Sequence, residues 1–109
     1  MTELEDILAR IFNLEQRDVK LYYTLLASGP MKITQISSAM NQDYTTTYLS
    51  VRRCMQARLI FRSRSTYRRG GRFYLYEAVD PEEILSRARE TLQSWIAELN
   101  KNLTSSAGE

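Results

Sequence analysis

The apolar residues in the first third of the chain follow the period of amphipathic helices. In the first helix they recur at steps of three and four, which places them on one face: Leu4, Ile7, Leu8, Ile11 and Phe12. A second helix is predicted from about Glu15 to Ser28. Gly29 and Pro30 should end it, because glycine accepts a positive φ and proline cannot continue a helix.

Two further helices are predicted on either side of a three-residue turn. The third, short helix spans Ile33–Met40, and the fourth spans about Tyr44–Ala57. In the turn, Asn41 tolerates a positive φ, and Asp43 is a good N-cap for the fourth helix. The predicted buried face of the fourth helix consists of Thr47, Val51, Cys54 and Met55.

After Ala57 the period changes. Residues 59–64 and 72–76 are rich in aromatic and apolar side chains that suit strands. Gly70 and Gly71 lie between them and indicate a hairpin turn with a mobile tip. Asp80 and Pro81 then begin a last helix as its N-cap and first residue. Its apolar residues form a coiled-coil seam, made of Leu85, Ala88, Leu92, Trp95 and Leu99 and widened by Ile84, Ile96 and Leu103.

This order of elements predicts an α+β fold that is mainly α. It is a winged helix-turn-helix with a two-stranded β wing and a long C-terminal dimerisation helix. The predicted parts are the winged domain at residues 1–80, the dimerisation helix at 81–103 and a disordered tail at 104–109. The predicted dimer interface comprises Leu85, Ala88, Leu92, Trp95, Ile96 and Leu99. The alternative is a monomer in which the last helix folds back on the first.

Basic residues are concentrated in the middle of the chain. The 109 residues include 15 basic and 13 acidic ones, for a net charge of +2. Residues 44–76 nevertheless contain eight arginines and no Asp or Glu. Such segregation indicates an anionic partner. A solvated basic face is the alternative, although ordinary surfaces mix both signs.

The outward face of the fourth helix and the hairpin are the candidate DNA-binding surfaces. Hydroxyls, tyrosines and arginine suit phosphate and base contacts, and the recognition-helix candidates are Tyr44, Thr45, Thr46, Tyr48, Leu49, Arg52 and Arg53. Arginine on a ribbon suits phosphate clamping or minor-groove insertion, and the wing candidates are Arg62, Arg64, Arg68, Arg69 and Arg72. The alternatives are a polar helix face that contacts nothing and an edge strand protected by charge.

No pattern in the sequence supports catalysis. There is no histidine, which removes the usual general base and a common metal ligand. Cys54 is the only cysteine and is predicted to fill the core rather than to act as a redox switch. We therefore expect no enzyme activity, no cofactor and no metal. Without a membrane-length apolar run or a secretory signal, we expect a cytoplasmic protein with no membrane partner.

Three stretches carry a resemblance to a known family. Leu21–Lys32, Ile36–Ile60 and Phe73–Leu85 resemble the TrmB-type regulators, which are winged-helix proteins related in fold to the MarR type. The resemblance spans about Leu4–Leu99 and implies a DNA-binding repressor or activator. Three residues depart from the pattern: Asn41 and Arg58 replace common glycines, and Gln42 replaces a common apolar residue. Many members carry a C-terminal sugar-binding domain. The sequence ends before one could form, so we expect no sugar effector, and any other effector stays unknown.

The sequence thus predicts a homodimeric regulator of transcription that binds double-stranded DNA sequence-specifically. One alternative is a protein-interaction module of the transcription machinery, in which the basic surface meets an acidic protein. Another is a binder of RNA or single-stranded nucleic acid that stacks bases on the wing aromatics, namely Tyr67, Phe73, Tyr74 and Tyr76. Packing of these rings on the core is the simpler interpretation of the same residues.

Overall fold

A computed structural model describes residues 3–107, with side chains described for residues 5–106. It contains five helices and one two-stranded antiparallel sheet in the predicted order. The elements are α1 (Glu3–Phe12), α2 (Gln16–Ser28), α3 (Ile33–Ala39), α4 (Tyr44–Gln56), β1 (Ile60–Thr66), β2 (Arg72–Ala78) and α5 (Pro81–Ala107). The predicted mainly helical winged fold is therefore confirmed. The chain divides into two compact units, with the division between Val79 and Asp80.

The core of the first unit forms where α2 meets α4, α3 and the sheet. Its fully buried apolar side chains include Val19, Leu21, Leu25, Ile36 and Val51. The buried residues of α2 cover one broad face of the helix along its length, because Leu21 and Leu25 are four residues apart and Val19 lies beside them. Tyr22 extends this face, and its hydroxyl donates a hydrogen bond of 2.7 Å to the carbonyl of Val79. Helix α2 is thus the element around which the unit packs.

The turn between α3 and α4 has the predicted construction. Asn41 adopts φ = 52°, and the Asp43 side chain accepts a 2.7 Å hydrogen bond from the backbone N–H of Thr46. Arg58 also lies in the left-handed region, at φ = 60°, directly after α4. Arginine occupies this position despite the steric penalty that a Cβ meets there.

The hairpin is longer than predicted and has a regular register. Ile60 pairs with Ala78, Arg64 with Tyr74 and Thr66 with Arg72. Gly70 and Gly71 make the turn with φ values of 91° and 88°. Met31 adds a short third segment through an isolated bridge to Tyr76, with hydrogen bonds of 3.0 and 2.8 Å. This bridge fixes the base of the wing beside the start of α3.

Helix α5 extends beyond its predicted end. Residues 104–107 are helical, so the prediction of a disordered tail is wrong for them, and residues 108–109 lie outside the described part. Extending an existing helix needs no new nucleus, which allows Thr, Ser and Ala residues of ordinary propensity to continue it. The predicted start is confirmed: Pro81 is the first residue, and Asp80 accepts a 3.0 Å hydrogen bond from the N–H of Glu82.

Candidate nucleic-acid interface

Helix α4 presents one buried and one exposed face. Thr47, Val51 and Cys54 are buried as predicted, at steps of four and three. The opposite face exposes Tyr44, Tyr48 and Leu49, each with 43% or more of its surface accessible. Tyr48 lies one helical turn after Tyr44. Thr45 and Arg52 are also exposed, whereas Thr46 is half-buried. Most of the predicted recognition residues therefore share an accessible surface.

The two tyrosines on this surface contact each other. The rings of Tyr44 and Tyr48 lie nearly parallel, with centroids 6.4 Å apart and an interplanar angle of 10°. Residues four apart on a helix are neighbours, so the sequence spacing produces this contact directly. The pair therefore places two nearly parallel aromatic rings on the exposed face of α4.

A buried ionic cluster fixes α4 against α2. Asp18 is fully buried, and Arg53 approaches it with both ends of its guanidinium: Nε lies 2.8 Å from Oδ2 and Nη2 lies 3.0 Å from Oδ1. Ser50 donates a further hydrogen bond to Oδ1, and the N–H of Glu15 donates one of 3.0 Å to Oδ2. Asp18 therefore has the partners that a buried carboxylate requires.

These contacts determine the titration of the cluster. Burial raises the pKa of Asp18, but hydrogen bonds from Arg53, Ser50 and the backbone, with the charge of Arg53, outweigh burial and lower it overall. The hydrogen bond to Asp18 is the main reason that the pKa of Arg53 is raised. Burial raises the pKa of the Cys54 thiol to about 12. A neutral buried thiol is a poor redox centre, in agreement with the predicted core role.

Arg53 was predicted to face DNA, and the structure gives it a different position. Its guanidinium is held by Asp18 and also lies 3.6 Å from Glu15. We therefore leave Arg53 out of the proposed DNA-contacting set. The sequence carried a signal for this pair: Asp18 precedes Leu21, Tyr22 and Leu25 by three, four and seven residues, so a carboxylate occupies the buried face of an amphipathic helix.

The wing exposes five arginines. Arg62, Arg64, Arg68, Arg69 and Arg72 are all accessible, and none forms an ion pair with a carboxylate of residues 5–106. The Cζ atoms of Arg62 and Arg64 lie 4.1 and 6.0 Å from the centre of the Tyr74 ring. Stacking on the ring orients these two guanidiniums on one face of the hairpin.

The wing aromatics divide between core and surface. Tyr76 is buried and Phe73 is half-buried, so packing explains these two rings, in agreement with the simpler interpretation. Tyr67 and Tyr74 remain 48% and 39% exposed. Their exposed rings, together with the arginines, extend the accessible surface of α4 onto the hairpin.

The described part of the chain lacks both a metal-binding cluster and a membrane-spanning helix. Among residues 5–106 there is no cluster of His, Cys, Asp or Glu that could hold a metal ion. No described helix is both long enough and apolar enough to cross a membrane.

A helix-turn-helix followed by a basic hairpin defines a winged-helix protein of the transcription-regulator class. Residues 8–82 match the family model described as "Sugar-specific transcriptional regulator TrmB". The chain therefore belongs to the TrmB family of transcriptional regulators.

Two uncharacterized proteins of Methanocaldococcus jannaschii are similar to it. MJ1503 is 32% identical over 89% of this chain and 74% of its own length, and MJ1082 is 30% identical over 93% and 83%.

Solved structures share the fold at low sequence identity. A possible transcriptional regulator from Methanosarcina mazei Go1 has a TM-score of 0.84 at 22% identity, and the match covers 94% of this chain and 88% of that one. A transcriptional regulator homologue from Pyrococcus horikoshii OT3 has a TM-score of 0.59 at 19% identity, covering 91% and 98%. Both similarities show that the winged-helix fold is shared.

Proposed function

We propose that this regulator binds double-stranded DNA sequence-specifically, as a homodimer, in the cytoplasm. Helix α4 would enter the major groove by its N-terminal half, and the wing would contact the backbone or the adjacent minor groove. The residues proposed to contact the groove are Tyr44, Thr45, Thr46, Tyr48, Leu49 and Arg52. Those proposed for the wing are Arg62, Arg64, Arg68, Arg69 and Arg72.

One observation carries the proposal. The exposed face of α4 and the wing form an accessible surface on which residues 44–76 contribute arginines and no carboxylate. Because this surface carries no carboxylate, it does not repel DNA phosphates, and the exposed face of α4 is accessible to base edges. Both properties fit duplex DNA. The Asp18–Arg53 pair supports it further, because it holds α4 in place without using the exposed face.

The proposed homodimer is supported by apolar residues on α5. Leu85, Leu92, Trp95, Ile96 and Leu99 expose between 41% and 66% of their surface. A stripe of this size on one helix is typical of an interaction surface, and its spacing is that of a coiled-coil seam. Ala88, the sixth predicted interface residue, is buried, so it is left out of the proposed surface.

A salt titration of duplex binding tests the function. Fluorescence anisotropy with labelled duplex from immediately upstream of the coding sequence should give log K falling against log [salt] with a slope of about −5 or steeper for a dimer. Arg10→Ala, which removes an exposed arginine of α1, should leave the slope unchanged.

Two outcomes would favour other functions. Absent or salt-insensitive duplex binding would favour a protein-docking module. Tighter binding of single strands than of duplex would favour base stacking on the exposed rings of Tyr67 and Tyr74.

A further inference from the structure

A cleft lies between the start of α3, the start of α4 and the wing. Its volume is about 210 Å³, and its lining includes Lys32, Thr34, Tyr44, Tyr67 and Phe73. Lys32 precedes α3, Tyr44 begins α4, and Tyr67 and Phe73 flank the hairpin turn. The cleft is therefore the place where the helix-turn-helix and the wing meet on the accessible side.

Lys32 provides the charge in this cleft. Its Nζ atom lies 5.1 Å from the centre of the Tyr67 ring and 5.3 Å from that of Phe73. The two rings pack against each other with centroids 4.4 Å apart. Nζ also donates a hydrogen bond of 3.3 Å to the Tyr67 hydroxyl oxygen. The wing rings thus hold the ammonium group at a defined point beside α3.

The ammonium group has only neutral partners in the described structure. No carboxylate of residues 5–106 forms an ion pair with Lys32, and its hydrogen bond to the Tyr67 hydroxyl is exposed. An accessible ammonium group that has no carboxylate partner can pair with an anion from solution. The cleft therefore presents an unpaired positive charge to a negatively charged ligand.

The hydrogen bond from Lys32 leaves the Tyr67 hydroxyl able to act as a second donor. Because the Tyr67 oxygen accepts from Lys32, its own proton remains available for another acceptor, and the ammonium group keeps two further N–H donors. Two adjacent donors, one of them charged, match the two non-bridging oxygens of a phosphodiester. Carboxylate-bearing side chains are absent from the lining, so nothing in the cleft repels such a group.

We propose that Lys32 and Tyr67 bind one backbone phosphate of the DNA, at the junction of the helix-turn-helix and the wing. The inference rests on the proposed function, since it places the phosphate on the surface that continues from α4 to the wing arginines. It adds a contact that joins the two DNA-binding elements. Contacting one phosphate from both elements would fix the angle at which the wing meets the duplex.

A phosphate-by-phosphate scan tests the site. Duplexes in which single phosphates are replaced by uncharged methylphosphonates are titrated against the wild type and Lys32→Ala. Neutralising the bound phosphate should weaken wild-type binding roughly tenfold, as expected for a charge-assisted hydrogen bond. The same duplex should bind Lys32→Ala no more weakly than the unmodified duplex does. Lys101→Ala, which removes an exposed lysine of α5, should show the wild-type profile.

Tyr67→Phe separates the hydroxyl from the ring. It keeps the ring against Phe73 and Lys32 and removes only the oxygen, so affinity should fall while the salt slope stays at the wild-type value. Lys32→Ala should instead flatten the slope by about 0.9 for each phosphate that the protein no longer neutralises. Circular dichroism of both variants checks that the fold is retained.

The possible outcomes test the proposed phosphate site separately from the proposed DNA-binding function. Duplex binding in which no methylphosphonate position couples to Lys32 overturns the site and leaves the function standing. Absence of duplex binding overturns both. Inorganic phosphate, titrated in the millimolar range without DNA, serves as the probe for a free anion. Saturable shifts of the Tyr67 resonances in that titration, without coupling in the scan, would assign the cleft to a free phosphate and overturn the DNA assignment.

Discussion

Single residues determine how firmly α4 is held. Asp18 is a buried carboxylate with a bidentate arginine, a serine hydroxyl and a backbone N–H around it. When one partner of such a cluster is removed, the others do not replace its charge, and the remaining ion is left in a poorly solvated site. The position of α4 therefore depends on a few side chains that do not themselves reach its exposed face.

Removing Arg53 should destabilise the fold. We expect Arg53→Ala to lower the free energy of unfolding by about 2–3 kcal/mol, which is below the range of about 3–5 kcal/mol for a fully buried pair because the guanidinium is partly exposed. Chemical denaturation at neutral pH measures the loss. Arg52→Ala, one residue earlier on the exposed face, is the matched control and should change stability by less than about 0.5 kcal/mol. Equal losses for both variants would contradict the assigned role.

The pH dependence of this loss follows from Asp18. Its pKa is lowered in the folded state from an ordinary value of 3.8, so the stability it contributes is present above that value. The contribution disappears as pH falls through the folded-state pKa. The stability difference between wild type and Arg53→Ala should therefore narrow in acid. A difference that is the same at pH 7 and at about pH 3 would show that Arg53 acts through packing alone.

Arg58 offers a second test at the scale of one residue. Its φ of 60° disfavours any side chain with a Cβ. Arg58→Gly should be more stable than Arg58→Ala by about 1 kcal/mol. Both variants remove the same side-chain interactions, so the comparison isolates the backbone conformation. Thermal or chemical denaturation measures the stability of both variants. Equal stabilities of Arg58→Gly and Arg58→Ala would mean that the backbone relaxes to accommodate alanine.

At the scale of elements, α4 and the wing have different proposed roles in DNA recognition. Helix α4 exposes a mixture of hydroxyl, aromatic and apolar groups together with Arg52. The wing exposes five arginines, two of which stack on Tyr74. A mixed surface can distinguish base edges, whereas a uniformly basic one attracts any phosphate backbone.

Substitutions in the two elements should therefore differ in their effect on specificity. Arg52→Ala should weaken binding of the preferred duplex by about 1–3 kcal/mol and relax sequence preference, if the arginine contacts a guanine. Arg68→Ala combined with Arg69→Ala should weaken all duplexes about equally and flatten the salt slope. Competition binding against a scrambled duplex measures both. If Arg52→Ala lowers specific and nonspecific binding alike, Arg52 contacts only a phosphate.

At the scale of the whole molecule, the apolar stripe on α5 bears on assembly. Leu92 and Trp95 are more than 40% exposed in the single chain, and they lie at successive seam positions of a heptad. A symmetric dimer would place two copies of α4 about 34 Å apart, one turn of DNA, and would favour a near-palindromic site.

Charges in the seam should therefore separate the protomers. Leu92→Glu with Trp95→Glu should yield a monomer that binds DNA weakly. Gln93→Glu with Ser94→Glu adds the same two carboxylates on the outer side of the helix and should stay dimeric. Light scattering at micromolar concentration measures both pairs. A wild-type mass near 12.7 kDa, that of one chain, would contradict the dimer.

Local patterns in the sequence determined most of the fold. Hydrophobic spacing predicted all five helices, Asn41 and Asp43 predicted the turn before α4, and the paired glycines predicted the hairpin. The same spacing predicted three of the four buried residues of α4, namely Thr47, Val51 and Cys54. It missed Ser50, which is buried, and it included Met55, which is half-buried. These features depend on neighbours within about four residues, so the sequence alone carries the information.

Tertiary structure decided which charged residues are available. Arg52 and Arg53 are adjacent in sequence, yet only Arg53 meets Asp18, which lies 35 residues earlier. Lys32 meets Tyr67 across the same separation of 35 residues, and no local pattern singled it out. The physical reason is that an arginine or lysine has the same helix propensity and charge whether or not a carboxylate or a ring faces it. The packing of α2, α4 and the wing determines which of them are held within the protein and which remain accessible.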